Sequence, residues 1–101
     1  MTIIHVSESY EDNSVTISIR DRFDFSSHKE FRSSYKERSN VGCYVLNMKD
    51  VNYIDSSALG MMLLLREHAE AGHGKVVIIH CNSEIKKILT IANFDRLFEI
   101  K

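Results

Sequence analysis

The second half of the chain alternates short apolar runs, which are typical of β-strands, with longer segments of helical periodicity. The run CYVLNM (43–48) precedes a helical segment from Ser57 to about Ala71, and KVVIIHC (75–81) precedes another over 82–93. Strands that alternate with helices favour parallel pairing through crossover connections. This alternation predicts an α/β fold.

The first third of the chain adds a hairpin and a surface helix. Two alternating runs, 2–9 and 14–20, flank a polar turn and predict two antiparallel strands. Residues 26–39 predict a helix that Ser26 or Ser27 would cap. Its narrow apolar stripe is Phe31 and Tyr35.

A short strand around 98–100 completes the predicted order, β-β-α-β-α-β-α-(β). We therefore expect a small mixed β-sheet of four to five strands with helices packed on it. A chain of 101 residues fits one domain, 1–101, with one core.

Composition and charge limit the possible partners. With 13 basic and 14 acidic residues, the chain has a formal net charge of −1, which offers no electrostatic footprint for nucleic acid or an anionic membrane. The N-terminus lacks the pattern of a signal peptide, and the apolar run MMLLL (61–65) is too short to span a bilayer. We expect a cytoplasmic protein, and a monomer because no feature demands self-association.

The stretch YIDSSALG (53–60) places Asp55, Ser56 and Ser57 where a strand-like run gives way to an apolar helix. Such residues commonly cap helices, because their oxygens accept hydrogen bonds from amides that the first turn leaves unpaired. Capping alone is one interpretation of this stretch, and it is compatible with modification of a hydroxyl.

Nucleophilic catalysis is a second interpretation, and the sequence gives it little support. The nucleophile elbow of hydrolases reads G-x-S-x-G, whereas Ile54 and Ala58 flank Ser56 at the glycine positions. No histidine is placed as a triad partner, and Walker-type loops and H-E-x-x-H are absent from the sequence. We expect no enzyme activity, no catalytic residue, no cofactor and no metal ligand.

A phosphorylation switch is the third interpretation. A phosphoserine carries about −1.5 to −2 charges at neutral pH. The positive end of a helix dipole tolerates that charge within the protein, whereas a partner with an apolar or acidic surface docked there would not. One modification could therefore abolish a complex and leave the fold intact.

The segment VNYIDSSALGMMLLLREHAEAG (51–72) resembles the signature of STAS-domain proteins, specifically bacterial anti-anti-sigma factors. Their pattern is an apolar residue, then D-S-[ST]-[GA]-[LI]-G, then an apolar helix. IRDRFDF (19–25) resembles the family's second strand and the loop after it. The resemblance covers nearly the whole chain and implies a four- to five-stranded mixed sheet backed by helices.

The resemblance implies that an anti-sigma factor with serine kinase activity phosphorylates Ser56. The unmodified form would bind that anti-sigma factor, and a PP2C-type phosphatase would restore it. Asp55 would present Ser56, Ser57 would be a second hydroxyl and the helix cap, and Asp24 would border the same face.

Two residues depart from the family pattern without touching Ser56. Ala58 stands where glycine is common and should stiffen the first helical turn. Asp21 also replaces a frequent glycine, and aspartate tolerates the left-handed conformation that a tight turn requires.

The main helix is expected to place Leu59, Met62 and Leu63 on the sheet. Met61 and Leu64 point elsewhere, so neighbouring helices could cover them, or one could be partly exposed beside Ser56. Methionine is frequent at binding surfaces. The predicted partner-binding residues are Asp24, Asp55, Ser56, Ser57, Ala58, Met61 and Leu64.

Two other functions stay open at this point. The chain could be a STAS scaffold or sensory adaptor without regulated phosphorylation, or a STAS module that binds a nucleotide or another small molecule. The sequence offers no glycine-rich phosphate loop, which weighs against nucleotide binding.

Overall fold

The computed structural model describes residues 3–101 and contains a five-stranded sheet in the order β1-β2-β3-β4-β5. β1 pairs antiparallel with β2, and the other neighbours pair in parallel. The strands are β1 (Ile4–Ser9), β2 (Ser14–Phe23), β3 (Cys43–Ile54), β4 (Lys75–Ile79) and β5 (Glu99–Ile100). The predicted mixed sheet is confirmed. The predicted first strand began at Thr2, which lies outside the described residues.

Three α-helices connect the parallel strands, in the predicted order. They are α1 (His28–Ser33), α2 (Ser56–Ala71) and α3 (Ser83–Ile91). Short 3₁₀ turns precede α1 at Phe25–Ser27 and follow α3 at Phe94–Arg96. None of the helices described over 3–101 has the length and apolar character needed to cross a membrane.

One hydrophobic core lies between the sheet and the helices. Alternate residues of β2, namely Val15, Ile17 and Ile19, are buried, while Ser14, Thr16 and Ser18 between them are only half-buried. All three helices contribute to the same core, which includes Phe31, Tyr35, Met62, Leu65, Ile85 and Leu89. A period of two in the strands and of 3.6 in the helices produces this arrangement.

β2 and β3 are both longer than the sequence predicted. β2 continues past Arg20 to Phe23, with irregular pairing between Ser18 and Arg20 and again after Asp21. Asp21 adopts a left-handed conformation with φ = 64°. The expected loop is therefore a bulged strand, in which the left-handed residue serves the bulge and not a tight turn.

The first helix is shorter than predicted. The sequence favoured a helix over 26–39, but α1 spans only six residues after a 3₁₀ turn. Ser27 occupies the N-cap position of α1 without a side-chain capping bond. Its hydroxyl donates to the Asp24 carbonyl at 2.8 Å, so the predicted capping of this helix by a serine side chain does not form.

Candidate functional site

The site lies where β2 and β3 end side by side. Phe23 pairs in register with Ile54, and the amide of Asp55 donates to the Phe23 carbonyl at 3.4 Å. Neighbouring strands are about 4.8 Å apart. The residues that leave these strands, Asp24 and Asp55, therefore start at adjacent points of one sheet edge, as the sequence predicted for the face around Ser56.

Asp55 is the N-cap of α2. Its backbone is extended, and its carboxylate accepts a hydrogen bond from the Ala58 amide at 2.9 Å. α2 therefore begins at Ser56, one residue earlier than predicted. The expectation that Ser57 caps this helix is wrong, because the shorter serine side chain lies inside the first turn and the aspartate before it reaches the free amide.

Ser56 is the first residue of α2, and its side chain is exposed. Within the part of the chain that the structure describes, its hydroxyl makes no hydrogen bond. The Ser57 hydroxyl also has none there, but Ser57 is half-buried. The 16 residues of α2 place the positive end of the helix dipole at Ser56. Of these two hydroxyls, the exposed one belongs to Ser56, the residue predicted for phosphorylation.

Asp24 organises the neighbouring junction. Its carboxylate accepts from the backbone amide of Ser26 at 3.0 Å and also from the Ser26 hydroxyl. Arg22 pairs with the same carboxylate at 3.2 Å. The hydrogen bond from the Ser26 hydroxyl is the main reason why the pKa of Asp24 lies below its usual value. Asp24 is therefore charged at neutral pH, and its hydrogen bonds to Ser26 fix the turn that follows β2.

Sequence reasoning missed two aromatic residues near this edge. Phe25 directly follows Asp24, is 67% exposed, and stacks on the His28 ring at 5.4 Å between centroids. Tyr53, two residues before Asp55, is 41% exposed, and the Arg22 guanidinium lies 4.0 Å from its ring centroid. For Phe25 the sequence did contain a signal, because a large aromatic residue stands between Asp24 and two serines, in a polar stretch where no core position was expected.

The two apolar candidates on α2 have different environments. Met61 is only 5% exposed and belongs to the core, so the expectation that it contributes partner-binding surface is wrong. Leu64 is 52% exposed and remains a surface candidate. Ala58 is fully buried beneath the first turn, so its side chain is structural and only its backbone belongs to the junction.

The buried face of α2 is also rotated from the predicted one. Met62 lies on the sheet as expected, but Leu59 and Leu63 are only half-buried. Met61 and Leu65 are buried with it, and α2 contacts α1 as well as the sheet. Over residues 3–101, no group of three or more His, Cys, Asp or Glu side chains is arranged to hold a metal ion.

Comparison with known proteins shows the family of this chain. The family model for the STAS domain matches residues 6–101. The chain belongs to the STAS-domain family. The STAS-domain containing protein PA14_20770 of Pseudomonas aeruginosa (strain UCBPP-PA14) is 42% identical over 93 residues, which are 91% of this chain and 92% of the relative.

Solved structures share the fold of this STAS domain at low sequence identity. The unphosphorylated anti-sigma factor antagonist SpoIIAA superposes with a TM-score of 0.74 at 16% identity, covering 97% of this chain and 86% of that one. The phosphorylated Bacillus SpoIIAA gives 0.71 at 16% identity, over 97% and 90%. An anti-sigma factor antagonist from Mycobacterium paratuberculosis gives 0.75 at 12% identity, over 96% and 84%. These similarities establish the fold.

Proposed function

We propose that this STAS domain is an anti-sigma factor antagonist that works as a phosphorylation-gated partner switch. Its unmodified form binds an anti-sigma factor with serine kinase activity, and phosphorylation of Ser56 releases that partner. A PP2C-type phosphatase restores the binding form. The chain acts by binding in the cytoplasm as a monomer and catalyses no reaction of its own.

The observation that carries this proposal is the free, exposed hydroxyl of Ser56 at the start of α2. Asp55 already supplies the helix cap, so the Ser56 hydroxyl is not needed to hold the fold. A kinase can therefore modify it without removing a hydrogen bond between described residues. The uncapped amides and the dipole of α2 favour the added negative charge.

The surroundings of Ser56 suit a binding surface. Phe25 and Tyr53 are exposed aromatics at the same edge, and such residues are enriched in protein interfaces. Leu64 is an exposed apolar residue further along α2. A partner that covers these side chains also covers Ser56, so that a phosphoryl group would be buried in the complex at a high desolvation cost.

A quantitative pull-down from native cell lysate tests the proposal. The baits are the unmodified chain, Ser56→Ala and Ser56→Asp, and the phosphate occupancy of Ser56 in the endogenous protein is measured by mass spectrometry. We expect the first two baits to retain one kinase-type regulator and Ser56→Asp to recover at least roughly tenfold less. Aspartate carries a single charge, so phosphoserine itself should have a larger effect.

Ser83 provides a matched control, because it is the exposed first residue of α3 and follows the capping residue Asn82. Ser83→Asp adds the same charge at the same position of another helix and should leave recovery unchanged. If all four baits recover the same partners and Ser56 is never phosphorylated, the chain is a scaffold and the proposal is wrong.

A further inference from the structure

An open groove of about 400 Å³ lies between α1 and α2. Leu64 provides a large exposed apolar side chain in it. No acidic residue contributes to the lining, and within residues 3–101 neither Arg32 nor Lys36 forms an ion pair. The lining residues are His28, Arg32, Tyr35, Lys36, Leu64 and His68. The groove is therefore apolar at one wall and cationic at the other.

The groove is continuous with Ser56 through one stripe of α2. Ser56, Gly60 and Leu64 are spaced by four residues, which places them on the same helix face, and all three are exposed. The stripe from Ser56 to Leu64 is about 12 Å long at 1.5 Å per residue. A segment lying in the groove along α2 would therefore reach Ser56 within about two helical turns.

Within residues 3–101, Gly60 has no neighbour that requires a glycine at this position. A Cβ built on it meets no atom within 4 Å, so the sheet and the neighbouring helices leave the position open. A helix with glycine in its interior is less stable than the same helix with alanine at that position. A bare backbone midway between Ser56 and Leu64 instead allows another chain to approach α2 closely.

We propose that the groove and this stripe bind an acidic amphipathic helix of the partner. Its apolar side chains pack on Leu64 and Gly60, and its carboxylates face Arg32 and Lys36. Helices commonly dock in this way, with an apolar face in a groove between two helices. A second copy of this chain is disfavoured, because it would bring the same cations against Arg32 and Lys36.

This inference rests on the proposed function and gives a physical reason why phosphorylation of Ser56 would release the partner. A phosphoryl group on Ser56 stands at the end of the same stripe, beside the docked acidic helix. The phosphoryl group and the carboxylates of the docked helix would repel each other in a partly dehydrated interface, and this repulsion drives release of the partner.

Site-specific photocrosslinking tests where and what the surface binds. p-Benzoylphenylalanine replaces Leu64 in the full chain or, as a control, Ile91, which is 74% exposed on α3. The crosslinked peptides from native lysate are sequenced. We expect position 64, and not position 91, to capture the partner through an acidic amphipathic segment. A second copy of this chain, a non-acidic segment or no specific product would overturn the inference.

Two variants with intact Ser56 separate docking from fold. Gly60→Gln places a good helix former in open space, so Tm should rise by a few degrees while partner recovery falls at least roughly tenfold. Arg32→Glu should weaken partner recovery to a similar extent. Lys87→Glu, which makes the same charge change at an exposed position of α3, should leave it unchanged. If Ser56→Asp abolishes recovery but neither groove variant does, the switch stands and the groove assignment fails. If neither Ser56→Asp nor the two groove variants lower partner recovery, the proposed function itself is wrong.

Discussion

Two junctions of the sheet each have an aspartate followed closely by two serines, and they differ in local structure. Asp24-Phe25-Ser26-Ser27 follows β2, and Asp55-Ser56-Ser57-Ala58 follows β3. At the first, the Asp24 carboxylate bonds to the second residue after it, and the chain forms a 3₁₀ turn. At the second, Asp55 bonds to the third residue after it, and an α-helix of 16 residues begins.

The consequence lies in the hydroxyl groups. Ser26 donates to Asp24, and Ser27 is buried and donates to the Asp24 carbonyl. Both hydroxyls of the first junction therefore hold the turn. At the second junction the aspartate needs no serine, which leaves Ser56 exposed and uncommitted. The amide that each carboxylate reaches thus decides whether the serine two residues after the aspartate is hydrogen-bonded, and the residue directly after the aspartate is a serine only at the second junction.

Removing each aspartate should lower stability to different extents at the two junctions. Asp55→Ala deletes the cap of the longest helix and should lower the free energy of unfolding by about 1 kcal/mol, within a usual range of roughly 0.5–2 kcal/mol. Asp24→Ala should cost less than Asp55→Ala, because its hydrogen bonds serve a three-residue turn and its ion-pair partner Arg22 is largely exposed. Urea denaturation of both variants measures the difference, and equal losses would contradict the comparison.

A negative charge at each junction should change stability in opposite directions. Ser56→Asp lies at the positive end of α2, whose dipole should outweigh repulsion from the Asp55 carboxylate and raise the free energy of unfolding by about 0.3–1 kcal/mol. Ser26→Asp removes a donor to Asp24 and places a second carboxylate beside it, which should lower it by about 1 kcal/mol. Thermal denaturation at low salt compares the two variants. A loss of stability in Ser56→Asp would mean that the first turn of α2 cannot carry a phosphate.

The smallest expected effect is the pH dependence of the first junction. The pKa of Asp24 is lowered in the folded state, mainly by the hydrogen bond from Ser26. Its contribution to stability is therefore complete above the unfolded-state pKa and is lost as pH falls through the folded-state pKa. Asp24→Asn, which retains a capping oxygen, should make urea midpoints less sensitive to pH below about pH 4. An unchanged acid limb in this variant would show that the lowered pKa has no effect on folding.

Local signals were sufficient for the order of elements and for the position of the junction that carries Ser56. Each helix and strand of the predicted order is present, because most of them have a clear period or a continuous apolar run over several residues. The pattern of Asp followed by Ser at the start of an apolar helix depends only on neighbours in sequence. Assigning the cap to Ser57 failed because Asp55 and Ser57 could both reach the first turn of α2, and only the backbone conformation of Asp55 decided between them.

The extent of β2 and β3 could not be predicted in this way. Val51 is buried, Asn52 and Tyr53 are exposed, and Ile54 is buried, so the alternation is interrupted. The parallel pairing of this stretch with the end of β2 keeps both strands extended despite the irregular register. Pairing between residues about 30 positions apart leaves no periodic signal in either strand.

The sequence alone determined the fold class, the STAS-domain resemblance and the junction at which Ser56 is displayed, since these follow from local periodicity and a compact motif. Tertiary structure decided that Met61 is buried and Leu64 exposed, that Gly60 faces open space, and that Arg32 and Lys36 lie across from Leu64. The physical reason is that exposure on a helix depends on how its neighbours pack. α1 and α2 are separated by the whole of β3, and only folding brings them together.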